Sequence, residues 1–233
     1  KKGPNGFLSQ ERNLNNLEKF KIIREYILTV SGQDKRKNLK TLLAAFSSLP
    51  RKVREKHQLV IICDIESSII NSLMNGFANN CQLENEIIFT GSVTESELDL
   101  FYLNCKLFIF PSISEGFGLP VLEAMTFGCP CIVANSSSLP DLVGDAAVKF
   151  NAIDSCDLGR KILDLISDSS KLAMLSKLSL KKSKKYSWSD VAKSATQALL
   201  GLSHTNKKRS LFTGEIQRLR KVRKKLAYIS PFP

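Results

Sequence analysis

Residues Pro111–Gly128, PSISEGFGLPVLEAMTFG, decide the fold of this chain. They follow the apolar run Leu107–Phe110, which has the length of a buried strand. The first residue of the segment, a proline, ends that strand, and Gly116 and Gly118 form a loop with little side-chain bulk and access to positive φ. Pro120 suits the first turn of a helix. The segment therefore predicts a strand, a glycine loop and a helix.

Two acidic residues make this segment more specific than a glycine loop alone. Glu115 stands in the loop, and Glu123 follows eight positions later inside the predicted helix. Backbone N–H groups at the start of a helix suit a phosphate or a sugar hydroxyl. One acid would face the tip of the site and the other its side wall, so a single ligand could contact both. The alternative is a tight turn between packed elements, with both acids solvated. The shape of the segment leaves these two interpretations open.

The stretch E-G-F-G-L-P-V-L-E-A-M at Glu115–Met125, with its E-x7-E spacing, closely resembles the donor-site signature of family 4 retaining glycosyltransferases of the GT-B fold. The resemblance covers roughly Tyr26 to Leu202 and implies the C-terminal, donor-binding half of such a fold. Further matches to the family pattern are Gly128, Pro130, Ser138-Leu139-Pro140 and Gly144-Asp145-Ala146.

A second predicted part of the site follows the strand-like run Tyr26–Val30. The segment Gln33–Asn38 is basic, and cations between a strand end and a helix start are well placed for a diphosphate. The resemblance implies an Arg/Lys pair in this loop, and Lys37 in R-K-N matches the lysine. Gln33 stands where the family often has the arginine, so Arg36 is assigned as its substitute. The alternative is a solvated charge run that opens a helix.

Strand-like and helix-like segments alternate along the chain, which predicts an α/β fold: a Rossmann-like parallel sheet with helices on both faces. Ligands in such sheets bind at the carboxyl ends of the strands. Thr94 is expected to open the helix Glu95–Asn104, and Ser136–Pro140 to form a turn. The other predicted strands are His57–Cys63, Glu86–Gly91, Cys129–Ala134 and Ala147–Phe150.

The net charge of +12 is unevenly distributed over the 233 residues. Residues 1–168 hold 18 basic and 20 acidic residues, a net of −2, whereas residues 169–233 hold 16 basic and 2 acidic residues, a net of +14. The basic excess therefore belongs to an appendage and not to the predicted donor site. No nucleic-acid motif or aromatic-interleaved basic surface accompanies it, and we expect no nucleic-acid partner.

The predicted organisation has four parts. An irregular lead-in at 1–13 precedes the Rossmann-like donor domain at 14–203, and a basic amphipathic helix or linker at 204–225 precedes the start of a further strand or module at 226–233. Phe212, Ile216, Leu219, Val222 and Leu226 mark the apolar stripe of that helix, which fits a linker or a membrane-surface helix. We expect an excised part of a longer, multi-module protein whose acceptor half is missing upstream, so that the fragment alone is inactive.

The resemblance implies retaining transfer of a sugar, with a preference for GDP-mannose, to a glycan acceptor in bacterial surface polysaccharide synthesis. Glu115, Arg36 and Lys37 would be catalytic, and Glu123 would hold the ribose hydroxyls. No cofactor or metal is expected, because the cations would neutralise the departing diphosphate. The remaining donor-binding residues implied are Gly32, Val93, Gly116, Phe117, Gly118 and Leu119; Val93 belongs to a loop whose backbone lies beside the base.

The other function class is a catalytically silent nucleotide-sugar-binding or scaffolding module. The missing arginine favours it, and the presence of both Glu115 and Glu123 opposes it. The six cysteines show no usual metal-ligand spacing, which predicts buried free thiols in a reducing compartment. We therefore expect a cytoplasmic protein, peripheral at the inner face of the membrane if its basic tail contacts lipid.

Overall fold

The computed structural model describes residues 14–75, 83 and 85–204. The chain divides into two units between Lys185 and Tyr186. The predicted lead-in at 1–13, the basic segment after His204 with its apolar stripe, and the strand at 226–233 lie outside the described residues, and the proposed domain limits stay predictions.

The first unit contains a six-stranded sheet in the order β3-β2-β1-β4-β5-β6, in which all pairs are parallel. This confirms the predicted Rossmann-like α/β fold. Val148–Phe150 forms one edge, as its short length suggests. The strands are β1 Glu25–Val30, β2 His57–Ile62, β3 Ile87–Phe89, β4 Leu107–Phe110, β5 Cys131–Ala134 and β6 Val148–Phe150.

Helices connect successive strands, and two 3-10 helices, Leu14–Phe20 and Lys35–Lys37, accompany them. Thr94 opens α4 with a complete capping box to Glu97, as its position predicts. The predicted turn Ser136–Pro140 is shorter than expected, because a helix already begins at Leu139. The helices of the first unit are α1 Leu39–Ser47, α2 Arg51–Arg54, α3 Ser67–Asn75, α4 Glu95–Asn104, α5 Leu119–Thr126, α6 Leu139–Val143, α7 Ser155–Ile166 and α8 Ser169–Ser183. In the second unit, α9 covers Trp188–His204.

The core lies on both faces of the sheet. Every residue of β2, β4 and β5 is buried, which is the pattern of parallel strands covered by helices on both sides. Cys63, Cys105, Cys129 and Cys131 are buried free thiols, whereas Cys156 is exposed, contrary to the expectation for that residue. Burial raises the pKa of the Cys63 thiol to about 11, so this thiol is a packing group. None of the described helices is long and apolar enough to cross a membrane.

The strand order places the site. The chain adds β2 and β3 on one side of β1 and then returns to add β4 on its other side. The connections after β1 and β4 therefore diverge at the carboxyl ends of two neighbouring strands, where an open parallel sheet has its binding crevice. The segments after these two strands are the two for which the sequence predicts ligand contacts.

Candidate functional site

The loop after β1 forms a short, internally capped turn. Asp34 precedes the 3-10 helix Lys35–Lys37, and its carboxylate accepts a hydrogen bond from the backbone N–H of Arg36 at 2.8 Å. The Arg36 guanidinium also donates to Asp34, from Nε at 2.8 Å. These bonds hold the pKa of Asp34 down at about 2. The side chain of Arg36 is exposed, and its hydrogen bond and ion pair with Asp34 raise the pKa of its guanidinium, with a smaller contribution from the charge of Glu115.

The backbone of Arg36 connects this turn to the loop after β4. Its carbonyl oxygen accepts from the backbone N–H of Ile113 at 2.9 Å and from the hydroxyl of Ser112 at 3.0 Å. The two loops are therefore joined through the main-chain carbonyl of Arg36, independently of the charged side chains.

Lys37 and Glu115 form the central ion pair of the site. Lys37 Nζ lies 2.7 Å from Glu115 Oε1, and both side chains are largely shielded from solvent, with relative exposures of 28% and 16%. The same ammonium lies 5.4 Å from the centre of the Phe110 ring. The structure thus joins two residues predicted to be catalytic that lie 78 positions apart in sequence.

The main chain of Glu115 is held from the loop after β5. Its N–H donates to Ser137 Oγ at 2.9 Å, and its carbonyl accepts from Ser138 Oγ at 3.2 Å. Ser136 Oγ donates to the carbonyl of Ser112 at 3.0 Å. Ser136–Pro140 has the composition of a turn, and nothing in the sequence assigns a role to these hydroxyls. The signal present in the sequence is a run of three serines that begins two positions after the last residue of a strand.

Asn38 is a second residue whose role is not apparent from the sequence. It adopts the left-handed conformation at φ 56°, which asparagine tolerates better than most residues. Its side-chain amide donates to the carbonyls of Pro111 at 3.0 Å and Ala152 at 2.8 Å. It thereby ties the loop after β1 to the loops after β4 and β6.

The glycines of the site have two different functions. A Cβ added at Gly32 or Gly116 would meet no atom within 4 Å, so open space lies in front of the backbone there. Gly118 has φ +97°, and an added Cβ would lie 2.7 Å from Leu139 Cδ2. Gly118 therefore permits the close approach of α6 to the start of α5, whereas Gly32 and Gly116 leave room for a ligand.

The side chains beside these glycines are accessible. Phe117 is 43% exposed and Leu119 is 46% exposed, although both are large apolar residues next to a well-packed core.

Glu123 lies on an exposed position of α5 and faces α4. Tyr102 on α4 donates its hydroxyl hydrogen bond to Glu123 Oε2 at 3.2 Å. Burial of the ring, together with the negative charge of Glu123, raises the pKa of Tyr102 above its usual range, so the phenol stays protonated and donates.

Val93 is half-buried in the segment after β3, where Gly91 forms an isolated bridge to Cys63.

The structure thus pairs Lys37 with Glu115 and orients Glu123 separately through Tyr102. The backbone of Arg36 is bonded to Ser112 and Ile113, in the loop that carries Glu115. Across residues 14–75, 83 and 85–204, no three His, Cys, Asp or Glu side chains form a group that could hold a metal ion. A ligand would therefore meet a cation, two carboxylates and an open glycine loop, near the carboxyl ends of the central strands.

Comparison with known proteins gives one family model, and the similar proteins reported below are also named as sugar transferases. The family model described as "Glycosyl transferases group 1" matches residues 13–182. The serotype-specific mannosyltransferase WbdA of Escherichia coli is 31% identical over 194 residues, which are 83% of this chain and 24% of that protein. The O-antigen chain mannosyltransferase B of Escherichia coli is 31% identical over 175 residues, 74% of this chain and 45% of that protein. The chain therefore spans less than half of these relatives.

Solved structures show the same fold. The structure of Anabaena Alr3699/HepE in complex with UDP and glucose superposes with a TM-score of 0.68 at 19% sequence identity. The match covers 76% of this chain and 48% of that one. At this identity the likeness concerns the fold.

Proposed function

Because this chain belongs to the group 1 glycosyl transferases, we propose that it forms the donor site of an enzyme that moves a sugar from a nucleoside diphosphate to a glycan, with retention of configuration. The observation that carries the proposal is the shielded Lys37–Glu115 pair beside the open glycine loop. A carboxylate and a cation at one point suit a ligand with hydroxyl groups on one side and a diphosphate on the other.

In this proposal Glu115 accepts hydrogen bonds from hydroxyls of the donor sugar, and Lys37 contacts the diphosphate. Negative charge grows on the diphosphate as the bond between the sugar and the phosphate breaks, and a nearby cation stabilises that added charge. Because Lys37 is already held by Glu115, little reorganisation is needed during the reaction. Arg36 adds a second cation once its guanidinium turns from Asp34 toward the diphosphate.

The nucleoside is assigned to the part of the site that Glu123 supplies. A carboxylate only accepts hydrogen bonds, so it suits two neighbouring ribose hydroxyls. Tyr102 fixes the orientation of this carboxylate through its hydrogen bond to Oε2. The backbone N–H groups of Gly116 to Leu119 would meet the sugar or the phosphate.

GDP-mannose is the donor that we favour, since two relatives at 31% identity are named as mannosyltransferases. Surface polysaccharide assembly, at the inner face of the membrane, is the process that we propose with it. Membrane contact by the basic tail belongs to the same proposal, and that tail lies outside the described residues.

The proposed function is tested by calorimetric titration of the chain with GDP-mannose, UDP-glucose and dTDP-glucose. We expect one of them to bind more tightly than the corresponding nucleoside, and to bind equally well in EDTA, because side-chain cations rather than a metal neutralise the diphosphate. Absence of binding by all three donors to the folded chain would contradict the proposal, and a loss of binding in EDTA would contradict its metal-free form.

A catalytically silent binding module is the second candidate, and the observation that favours it is the engagement of Arg36 with Asp34. Both candidate functions predict donor binding, but only the enzyme transfers the sugar to an acceptor. Sugar transfer by the full-length protein that is lost on Lys37→Ala would exclude the silent module.

The diphosphate contacts lead to a testable prediction. Replacing both Arg36 and Lys37 by alanine should weaken nucleoside-diphosphate binding by about 2–3 kcal/mol, the size of charge-assisted hydrogen bonds, and should leave nucleoside binding nearly unchanged. The difference should shrink as salt is raised. Lys35→Ala is the matched control, since Lys35 is exposed in the same 3-10 helix. Equal losses for the diphosphate and the nucleoside would contradict the assignment.

A further inference from the structure

Three consecutive serines after β5 each form a hydrogen bond with the loop that carries Glu115. Ser136 donates to Ser112, Ser137 accepts from the N–H of Glu115, and Ser138 donates to the carbonyl of Glu115. Both main-chain polar groups of Glu115 are therefore occupied by neighbouring serines, while its side chain is occupied by Lys37. Glu115 is held at three points from two different loops.

Two of these serines depart from their usual local conformations. Ser137 has φ 47°, a left-handed conformation that residues with a Cβ rarely adopt. Ser138 is the N-cap of α6, yet its side chain forms no cap hydrogen bond to that helix and instead reaches Glu115. Strained backbone conformations of this kind persist only where contacts with the surrounding structure hold them in place. Here the hydroxyls of Ser137 and Ser138 both form hydrogen bonds with the main chain of Glu115.

We propose that Ser137 is a positioning residue for donor recognition: its hydroxyl fixes the backbone of Glu115 so that the carboxylate is presented to the donor sugar. This inference rests on the proposed function, in which Glu115 contacts the sugar. Ser137 itself need not touch the donor. Loss of its hydroxyl should therefore weaken recognition of the sugar and leave recognition of the nucleoside diphosphate intact.

Two substitutions separate this role from a purely structural one. Ser137→Gly removes the hydroxyl and relieves the left-handed backbone, so the chain should be as stable as the wild type or more stable. Ser137→Thr keeps the hydroxyl but places a β-branched side chain at positive φ, so the chain should be less stable. If Ser137 served stability alone, ligand recognition would follow stability in both variants.

The measured quantity is the sugar preference, defined as the Kd of the nucleoside diphosphate divided by the Kd of the donor that binds best among GDP-mannose, UDP-glucose and dTDP-glucose. We expect Ser137→Gly to lower it about fivefold, the effect of one hydrogen bond, and Ser137→Thr to keep it within about twofold. Chemical denaturation of the same samples reports their stability. Hydrogen exchange of the Glu115 amide without ligand should be faster in the glycine variant and close to wild type in the threonine variant.

Each outcome decides the inference. A lowered sugar preference and faster amide exchange in the stable glycine variant would support it. Wild-type sugar preference in that variant, or unchanged exchange of the Glu115 amide, would overturn the positioning role and leave the proposed function standing. If none of the three donors binds the folded wild-type chain, the proposed function fails, and this inference fails with it.

Discussion

Gly118→Ala is expected to destabilise the first unit by about 2–5 kcal/mol. A left-handed conformation costs an alanine roughly 1–2 kcal/mol, and overpacking of a close-packed site costs roughly 1–3 kcal/mol more. Both costs apply at Gly118, because its φ is +97° and an added Cβ would lie 2.7 Å from Leu139 Cδ2 and 3.1 Å from Leu142 Cδ2. Urea unfolding followed by circular dichroism measures the change as a lower midpoint at unaltered slope.

Gly116→Ala is the matched control, since it adds the same methyl group two positions earlier in the same loop. An added Cβ at Gly116 meets nothing within 4 Å, so the stability should change by no more than about 0.5 kcal/mol. Donor binding should nevertheless fall, because the methyl group enters the space assigned to the ligand. Equal stability of the two variants would show that α6 does not pack on Gly118 as described.

Glu123→Ala should weaken nucleoside-diphosphate binding by about 1.5–3 kcal/mol, or roughly 10- to 150-fold, the range for hydrogen bonds to a charged group. The variant should still fold because Glu123 is exposed, but it should lose about 1–3 kcal/mol of stability, since the hydroxyl of the buried Tyr102 loses its acceptor. Calorimetry with the nucleoside diphosphate measures the affinity, and thermal unfolding confirms that the variant is folded. Glu123→Gln, which keeps one acceptor oxygen, should lie between the wild type and the alanine variant.

Tyr102→Phe is the control for this experiment. It removes the hydrogen bond to Glu123 Oε2 and retains the aromatic packing of the ring, which stacks on Phe127 at a centroid distance of 5.7 Å. We expect the affinity to stay within about threefold of wild type, since the carboxylate itself remains. Wild-type affinity in a folded Glu123→Ala variant would remove Glu123 from the site, and a larger loss in Tyr102→Phe than in Glu123→Ala would assign the contact to the tyrosine.

Much of the fold could be predicted from local patterns. The apolar runs that became β1, β2 and β4 are continuous, which is typical of parallel strands buried on both faces. The helix after Thr94 was predictable because the threonine and Glu97 have the spacing of a capping box. The start of α6 was missed, because Ser136–Pro140 has the composition of a turn and the helix has only five residues.

The candidate site could be predicted only in part, because its contacts join residues that are far apart in sequence. The basic segment after one strand and the glycine motif after another, together with the family resemblance, pointed to Arg36, Lys37, Glu115 and Glu123. The sequence does not indicate which side chain each of them meets. The guanidinium of Arg36 lies against Asp34, and the anchoring by Asn38 involves carbonyls at Pro111 and Ala152 that carry no side-chain signal.

By itself, the sequence determined the alternation of strands and helices, the glycine loop and the family, because these depend on neighbours a few positions apart. Only the tertiary structure decided that Lys37 pairs with Glu115 and that Ser137 holds the same residue from the opposite loop. Those contacts depend on β1 and β5 both lying next to β4, an order that results from packing of the whole sheet. The carboxyl ends of these strands meet at one edge, so residues far apart in sequence form one site.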